Sequence, residues 1–119
     1  MQVTGWVKPD EVQNYLKQVD VYLSTSLWEG LPLSVLEAMA LGKPLLLSDC
    51  VGNVDTVEQG ANGFLYHDAA EGINSIQKIL EVSSDEILQL EKASYKRVID
   101  KFSLSRLKTQ YQSLYNSIK

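Results

Sequence analysis

The apolar positions of this chain fall into two kinds of run. In one they recur three and four residues apart, the spacing of a helix with one buried face. In the other they stand side by side, as in a strand covered on both faces. Val12, Tyr15, Leu16 and Val19 form the first helical stripe, in a helix that Pro9 opens. Residues 32–41 form a second helix, with Pro32 suited to its first position and Gly42 to its C-terminal cap. From Leu33 to Leu41 only Ser34 and Glu37 are polar, and a helix apolar on nearly all sides is expected to be buried. Ile73, Ile76 and Leu80 line up in a third helix. Leu88, Tyr95, Val98, Ile99 and Phe102 form the face of a fourth, capped by Ser83 or Ser84, with Asp85 and Glu86 favourable in its first turn. Leu104, Leu107, Tyr111, Leu114 and Ile118 mark a fifth.

The strand-like runs are residues 21–24, 44–48 and 63–66, with Pro44 at a strand start, where proline is tolerated. A weaker alternation through Val3, Trp6 and Val7 predicts a short strand over residues 2–7 that ends in a loop. Gly52-Asn53 marks a loop before a short helix that ends near Gly60, and Asp55 is placed to cap that helix over residues 56–59. Strands alternating with helices predict an α/β fold, a Rossmann-like parallel sheet flanked by helices. Ligands bind such sheets outside the carboxyl ends of the strands. Residues 25–31 and 48–53 therefore fall at the ligand edge.

Composition narrows the class. The chain has 119 residues, 45% hydrophobic and 22% charged, which suits one globular domain with a core. It has no long apolar span and no signal-peptide pattern at its N-terminus, so a cytoplasmic location is expected. The single cysteine, Cys50, excludes an internal disulfide and reads as a small hydrophobe. A net charge of -4 without a Lys/Arg run argues against a nucleic-acid surface. His67 is the only histidine, has no cysteine or histidine neighbours and reads as a surface turn residue, and no metal-ligand cluster stands out.

The chemistry concentrates in residues 28–39. Glu29 and Glu37 bracket a Gly30-Leu31-Pro32 turn and the start of the apolar helix. A carboxylate inside a buried helix is expensive unless something bonds to it. Helical side chains lean toward the N-terminus, so Glu37 is expected to point back over Leu33 and Ser34, toward the turn that holds Glu29. The same helix start offers free N–H groups and a positive dipole end, which suit phosphate. Amides for phosphate and carboxylates for hydroxyls would together make a sugar-nucleotide site. Trp28 is expected to pack under the loop, and Tyr95, Tyr111 and Tyr115 to sit in a core or an interface.

The run Asp20-Val21-Tyr22-Leu23-Ser24-Thr25-Ser26, then Glu29-Gly30-Leu31-Pro32-Leu33, then Leu36-Glu37-Ala38-Met39-Ala40-Leu41-Gly42-Lys43-Pro44 resembles the nucleotide-sugar-binding domain of retaining GT-B glycosyltransferases of family 4. Their signature is two glutamates separated by seven residues, as Glu29 and Glu37 are, followed by Ala-Met-Ala-x-Gly-x-Pro. Asn62-Gly63-Phe64-Leu65 matches the family's Asn-Gly-x-Leu strand. The resemblance implies transfer of a sugar from a nucleotide-diphosphate donor to a saccharide or lipid-linked acceptor, with surface-polysaccharide synthesis as the setting and the parent enzyme peripheral at the inner membrane face. It implies a front-face mechanism, in which the leaving phosphate assists the incoming hydroxyl, and no metal cofactor. Glu29 would act at the reacting end, on the donor-sugar hydroxyls. Gly30, Leu31, Pro32 and Leu33 would bring their backbone to the sugar and diphosphate, Glu37 would accept from the ribose hydroxyls, and Trp6 and Val7 would lie beside the base.

By the same resemblance residues 1–119 form only part of that domain. The acceptor-binding domain and the first two strand–helix units are missing, with the Arg and Lys that neutralise the diphosphate. Lys43, at the far end of the helix, is a poor substitute. The chain alone is therefore expected to be inactive. In the strand order 3-2-1-4-5-6, loss of the middle strands leaves the 21–24 strand with a bare edge. That predicts self-association or a relocated N-terminal strand. Two other readings stay open: a fragment of a GT-B nucleotide-sugar epimerase, and a non-catalytic self-associating module. A flavodoxin-like receiver fits less well, for want of an acidic cluster at the early strand ends.

Overall fold

The computed structural model describes residues 1–118. Its elements in chain order are α1 (Pro9–Gln18), β1 (Tyr22–Ser24), α2 (Leu33–Ala40), β2 (Leu45–Ser48), α3 (Asn53–Thr56), β3 (Gly63–Tyr66), α4 (Ala69–Glu81), α5 (Ser84–Phe102) and α6 (Leu104–Ser117). The three strands make one parallel sheet in the order β1-β2-β3. Tyr22 pairs with Leu45, which pairs with Gly63.

The central strand β2 is an unbroken leucine run because both its faces are covered. Leu45 and Leu47 pack with Val35, Ala38 and Met39 of α2, Leu16 of α1 and Val98 of α5. Leu46 turns to the other face, toward Ile76 and Ile79 of α4. α2 ends on Gly42 at φ 71°, where the Gly42 N–H donates to the Met39 carbonyl and the Lys43 N–H to the Ala38 carbonyl, both at 2.9 Å. This is the paired-bond C-cap for which glycine is best suited. Ser94 of α5, fully buried, donates to the Lys43 carbonyl at 2.7 Å and fixes α5 against that corner.

The Asn62-Gly63 pair is built into this frame. A Cβ on Gly63 would lie 2.2 Å from the Leu45 carbonyl oxygen, so β3 pairs this closely with β2 only without a side chain there. Buried Asn62 accepts from the Glu58 N–H at 2.7 Å and donates to the Thr56 carbonyl at 3.1 Å. Arg97 of α5 reaches the same turn, donating to the Thr56 and Asp55 carbonyls at 3.0 Å and pairing with Glu58 at 3.2 Å.

The structure corrects several sequence expectations. Residues 2–7 form no strand, and neither does any other N-terminal segment pair with β1 among the described residues. Two valines cannot hold a strand that nothing covers. In α1 only Leu16 is buried, while Tyr15 and Val19 stay exposed. α2 is not buried all round: Val35, Ala38 and Met39 face inward, and Leu33, Ser34, Glu37 and Ala40 share the exposed side. α3 spans residues 53–56, so Asp55 lies inside it and caps nothing. The buried stripe of α4 is Gly72, Ser75 and Ile79, whereas Ile73, Ile76 and Leu80 are exposed. Small residues win there because α4 crosses close to β3, with a Cβ on Gly72 only 3.3 Å from the Tyr66 ring. In α5 the inward residues are Leu90, Ser94 and Val98, and Tyr95 stands exposed. α6 buries nothing, and its Tyr111 and Tyr115 rings meet at 6.3 Å on the outside. Ser83, not Ser84, caps α5, in a reciprocal box with Glu86. Those bonds hold the Glu86 carboxyl below the usual carboxylate range, the Ser83 backbone N–H contributing most.

The two sheet edges differ. Beyond β3, Gln59 accepts from the Leu65 N–H at 2.8 Å and the Gly60 N–H meets the Gly63 carbonyl at 2.8 Å. Beyond β1 no strand follows among the described residues. The Tyr22 N–H points to Pro44, so Leu23, next in the alternation, turns its own backbone groups to that open edge.

Candidate functional site

The loops that follow β1, β2 and β3 gather at the carboxyl ends of the strands, and hydrogen bonds tie the first two together. Half-buried Glu29 accepts from the Ser26 hydroxyl at 2.6 Å through Oε1. The Glu29 N–H donates to the Val51 carbonyl at 3.1 Å, and Ser48 donates to the Ser26 carbonyl at 2.5 Å. Asn53 donates to the Ser48 carbonyl at 2.9 Å and to its hydroxyl at 3.3 Å. The loops touch so closely at Gly52 (φ 92°) that a Cβ there would stand 2.2 Å from the Gly30 carbonyl oxygen. Any side chain at 52 would push the Glu29 turn away from β2.

Gly30 is the opposite case. Its φ is not positive and a Cβ on it would meet nothing within 4 Å. Neither backbone strain nor packing calls for glycine there, and the space beside it is open. Leu31 and Leu33 are exposed around it, and Pro32 is buried as the N-cap of α2. No side chain caps α2, and no acidic residue stands in its first turn. The helices α4, α5 and α6 are instead capped by Asp68, Ser83 and Ser103. The α2 N-terminus thus keeps its positive end and its first N–H groups for an outside acceptor.

Glu37 corrects the sequence reading in part. It lies on the exposed side of α2 with Leu33 and Ser34, so its carboxylate carries no burial penalty. By hydrogen bonds the fold gathers Ser26, Ser48 and the 50–53 loop around Glu29. Trp28 does not pack under the loop but is exposed. Trp6 is fully exposed and Val7 half-buried in the segment before α1. The sequence reading places Ser26, Ser48, Gly52 and Asn53 at the sheet's carboxyl edge but gives none of them a role. A Ser three residues before Glu29 was the only available hint of the first, and the others depend on which loops meet.

Two further groups border the site. Tyr66 donates to the Ser24 carbonyl at 2.8 Å, and burial first, then neighbouring Cys50, raises its phenol above the ordinary value. His67 bridges Asp49 at 2.7 Å and Glu71 at 2.9 Å, so it joins the loops after β2 and β3 instead of standing as a simple turn residue. The Glu71 hydrogen bond, then the Asp49 charge, raise the His67 imidazole above its usual 6.5. The His67 N–H and ring lower Glu71 in turn. No group of three or more His, Cys, Asp or Glu side chains is arranged to hold a metal ion among the described residues, and no described helix is long and apolar enough to cross a membrane.

A parallel sheet flanked by helices is the fold of the C-terminal domain of GT-B glycosyltransferases. The family described as glycosyl transferases group 1 matches residues 1–82, and the chain belongs to it. The UDP-Gal:α-D-GlcNAc-diphosphoundecaprenol α-1,3-galactosyltransferase of Escherichia coli is 32% identical over 113 residues, covering 93% of this chain. The chain spans 28% of that relative's length. Among solved structures, sucrose-phosphate synthase from Thermosynechococcus elongatus superposes with a TM-score of 0.83 at 28% identity, over 97% of this chain and 29% of that one. The C-terminal domain of the group 1 glycosyl transferase LpcC from Francisella tularensis shares the fold at TM-score 0.72 and 19% identity, over 86% of this chain and 53% of that one.

Proposed function

We propose that this chain carries part of the donor half of a retaining glycosyltransferase. It holds a nucleoside-diphosphate sugar for transfer to a saccharide or lipid-linked acceptor in surface-polysaccharide assembly. The observation that carries the reading is the turn 29–33: a glycine with open space beside it, on an uncapped helix N-terminus, next to a tethered glutamate. Diphosphate oxygens accept from the first N–H groups of α2. Glu29 takes the sugar hydroxyls, and Glu37, exposed one turn into α2, takes the ribose hydroxyls. Trp6 and Val7 border the base. In transfer the bond from the anomeric carbon to phosphate breaks, the acceptor oxygen bonds on the same face, and its proton passes to the departing phosphate. No metal bridges the diphosphate in this reading.

The chain spans 28% of the length of its galactosyltransferase relative, so we read it as part of a larger catalytic unit and as inactive alone. Titration with UDP, GDP and ADP, followed by amide chemical shifts, tests the donor platform. Shifts at residues 29–37 that are insensitive to EDTA and lost in Glu37→Ala are expected, and silence at millimolar nucleotide overturns it. Glycosyl transfer or donor hydrolysis by the pure chain would overturn the inactivity.

The bare β1 edge favours one second reading, association of two copies through that edge, since Leu23 is 52% exposed there. Sedimentation is expected to show a dimer that Leu23→Lys dissociates; a monomer at high concentration sinks this reading.

A further inference from the structure

We propose that Ser26 is a positioning residue that sets the Glu29 carboxylate for the donor, held in turn by Ser48; the proposal rests on Glu29 meeting the donor sugar. The hydrogen-bond directions follow from what each group can offer. An ionised Glu29 only accepts, so the 2.6 Å contact spends the Ser26 proton on Oε1. The Ser26 oxygen is then left to accept, and Ser24, 3.1 Å away, is the donor to it. Ser48 donates to the Ser26 carbonyl, and buried Asn53 donates to Ser48. Ser24 and Ser26 thus donate in turn toward a single carboxylate oxygen, while Asn53 and Ser48 hold the Ser26 backbone through its carbonyl.

Its geometry divides the labour of Glu29. Oε1 is committed to Ser26, while Oε2 has no hydrogen-bond partner among the described residues. One oxygen anchors the side chain and the other is left to accept from a ligand. A free glutamate must give up rotamer freedom when it grips a ligand. Here Ser26 has fixed the rotamer before any donor arrives, which is how preorganisation raises affinity without adding a contact. Ser26 touches no substrate in this account and acts only through Glu29.

The test compares Ser26→Ala with Ser26→Thr, which keeps the hydroxyl. Three-bond couplings across Glu29 χ1 in the ligand-free chain are expected to report one rotamer in the wild type and in Ser26→Thr, and averaging in Ser26→Ala. A single unchanged rotamer in Ser26→Ala overturns the proposal. With UDP and UDP-galactose as probes, Ser26→Ala is expected to weaken the sugar nucleotide by about fivefold, the scale of one frozen glutamate side chain. UDP affinity and melting temperature should stay unchanged. A merely structural serine would lower melting temperature and both affinities together. Glu29→Ala separates the two ideas: if it leaves the preference for the sugar nucleotide intact, the role of Glu29 fails. If it removes the preference while Ser26→Ala does not, the positioning role fails. Absence of any binding is a failure of the donor platform, and the couplings still decide the role of Ser26.

Discussion

Two motif segments of this chain, residues 29–33 and 62–65, look alike in sequence and have opposite destinies in the fold. Both centre on a glycine beside a polar side chain. In the second, every feature turns inward: Asn62 is buried with both ends of its amide bonded, and Gly63 has no room for a methyl group. In the first, Glu29 is tethered and Pro32 buried, but the rest turns outward: Gly30 has room to spare, Leu31 and Leu33 are exposed, and α2 starts uncapped. A motif can therefore mark a packing constraint, as at Gly63, or an open surface of the kind we propose for the donor, as at Gly30.

Substitutions can break or sharpen this contrast. The largest effect is expected for Gly63→Ala, whose methyl would collide with the β2 backbone. Overpacking against a carbonyl that cannot move is expected to cost at least ~3 kcal/mol, read as a lost or strongly shifted urea transition. Asn62→Ala leaves the Glu58 N–H unpaired while Arg97 still donates to the Thr56 carbonyl, and one such buried group costs about 1–3 kcal/mol in the same experiment. Gly30→Ala should reverse the pattern. Stability stays within about 0.5 kcal/mol of wild type, while UDP-galactose affinity falls about tenfold through a methyl in the donor space. Equal loss of stability at 30 and 63 would erase the distinction between the segments.

Ser83→Ala removes a cap of the kind α2 lacks and is expected to cost about 1 kcal/mol in thermal unfolding. The smallest effect belongs to His67, which links the loop beside the first segment to the strand of the second. Its pKa is raised on folding, so its contribution is fully present below the unfolded value of 6.5 and fades as pH rises through the higher folded value. His67→Gln should lower the melting temperature at pH 6, and the difference should vanish under alkaline conditions. A difference that persists there would rule out the ion pairs as its origin.

Much was legible in sequence because it depended on neighbours along the chain. The periodicities of α1, α4 and α5 announced helices, the leucine run announced β2, and Gly42 announced a cap. The boundaries of β3 fell where the Gly-aromatic run placed them. Which stripe of a helix faces inward was less legible. Ile73, Ile76 and Leu80 are the more apolar line of α4, yet Gly72, Ser75 and Ile79 take the inside because close approach to Tyr66 favours small side chains. The strand expected over residues 2–7 failed because a strand needs a partner, and hydropathy does not supply one.

The sequence by itself determined the α/β class, the family, and the place of the 29–33 turn at the carboxyl edge of the sheet, since these rest on local spacing and residue type. Only the tertiary structure decided that Glu37 is exposed and that Glu29 is held by Ser26. The same holds for Gly52, which has no room for a side chain because another loop lies against it, and for β1 at a bare edge. Each of these depends on which distant segments come into contact, and side-chain burial and hydrogen-bond partnership are properties of that contact.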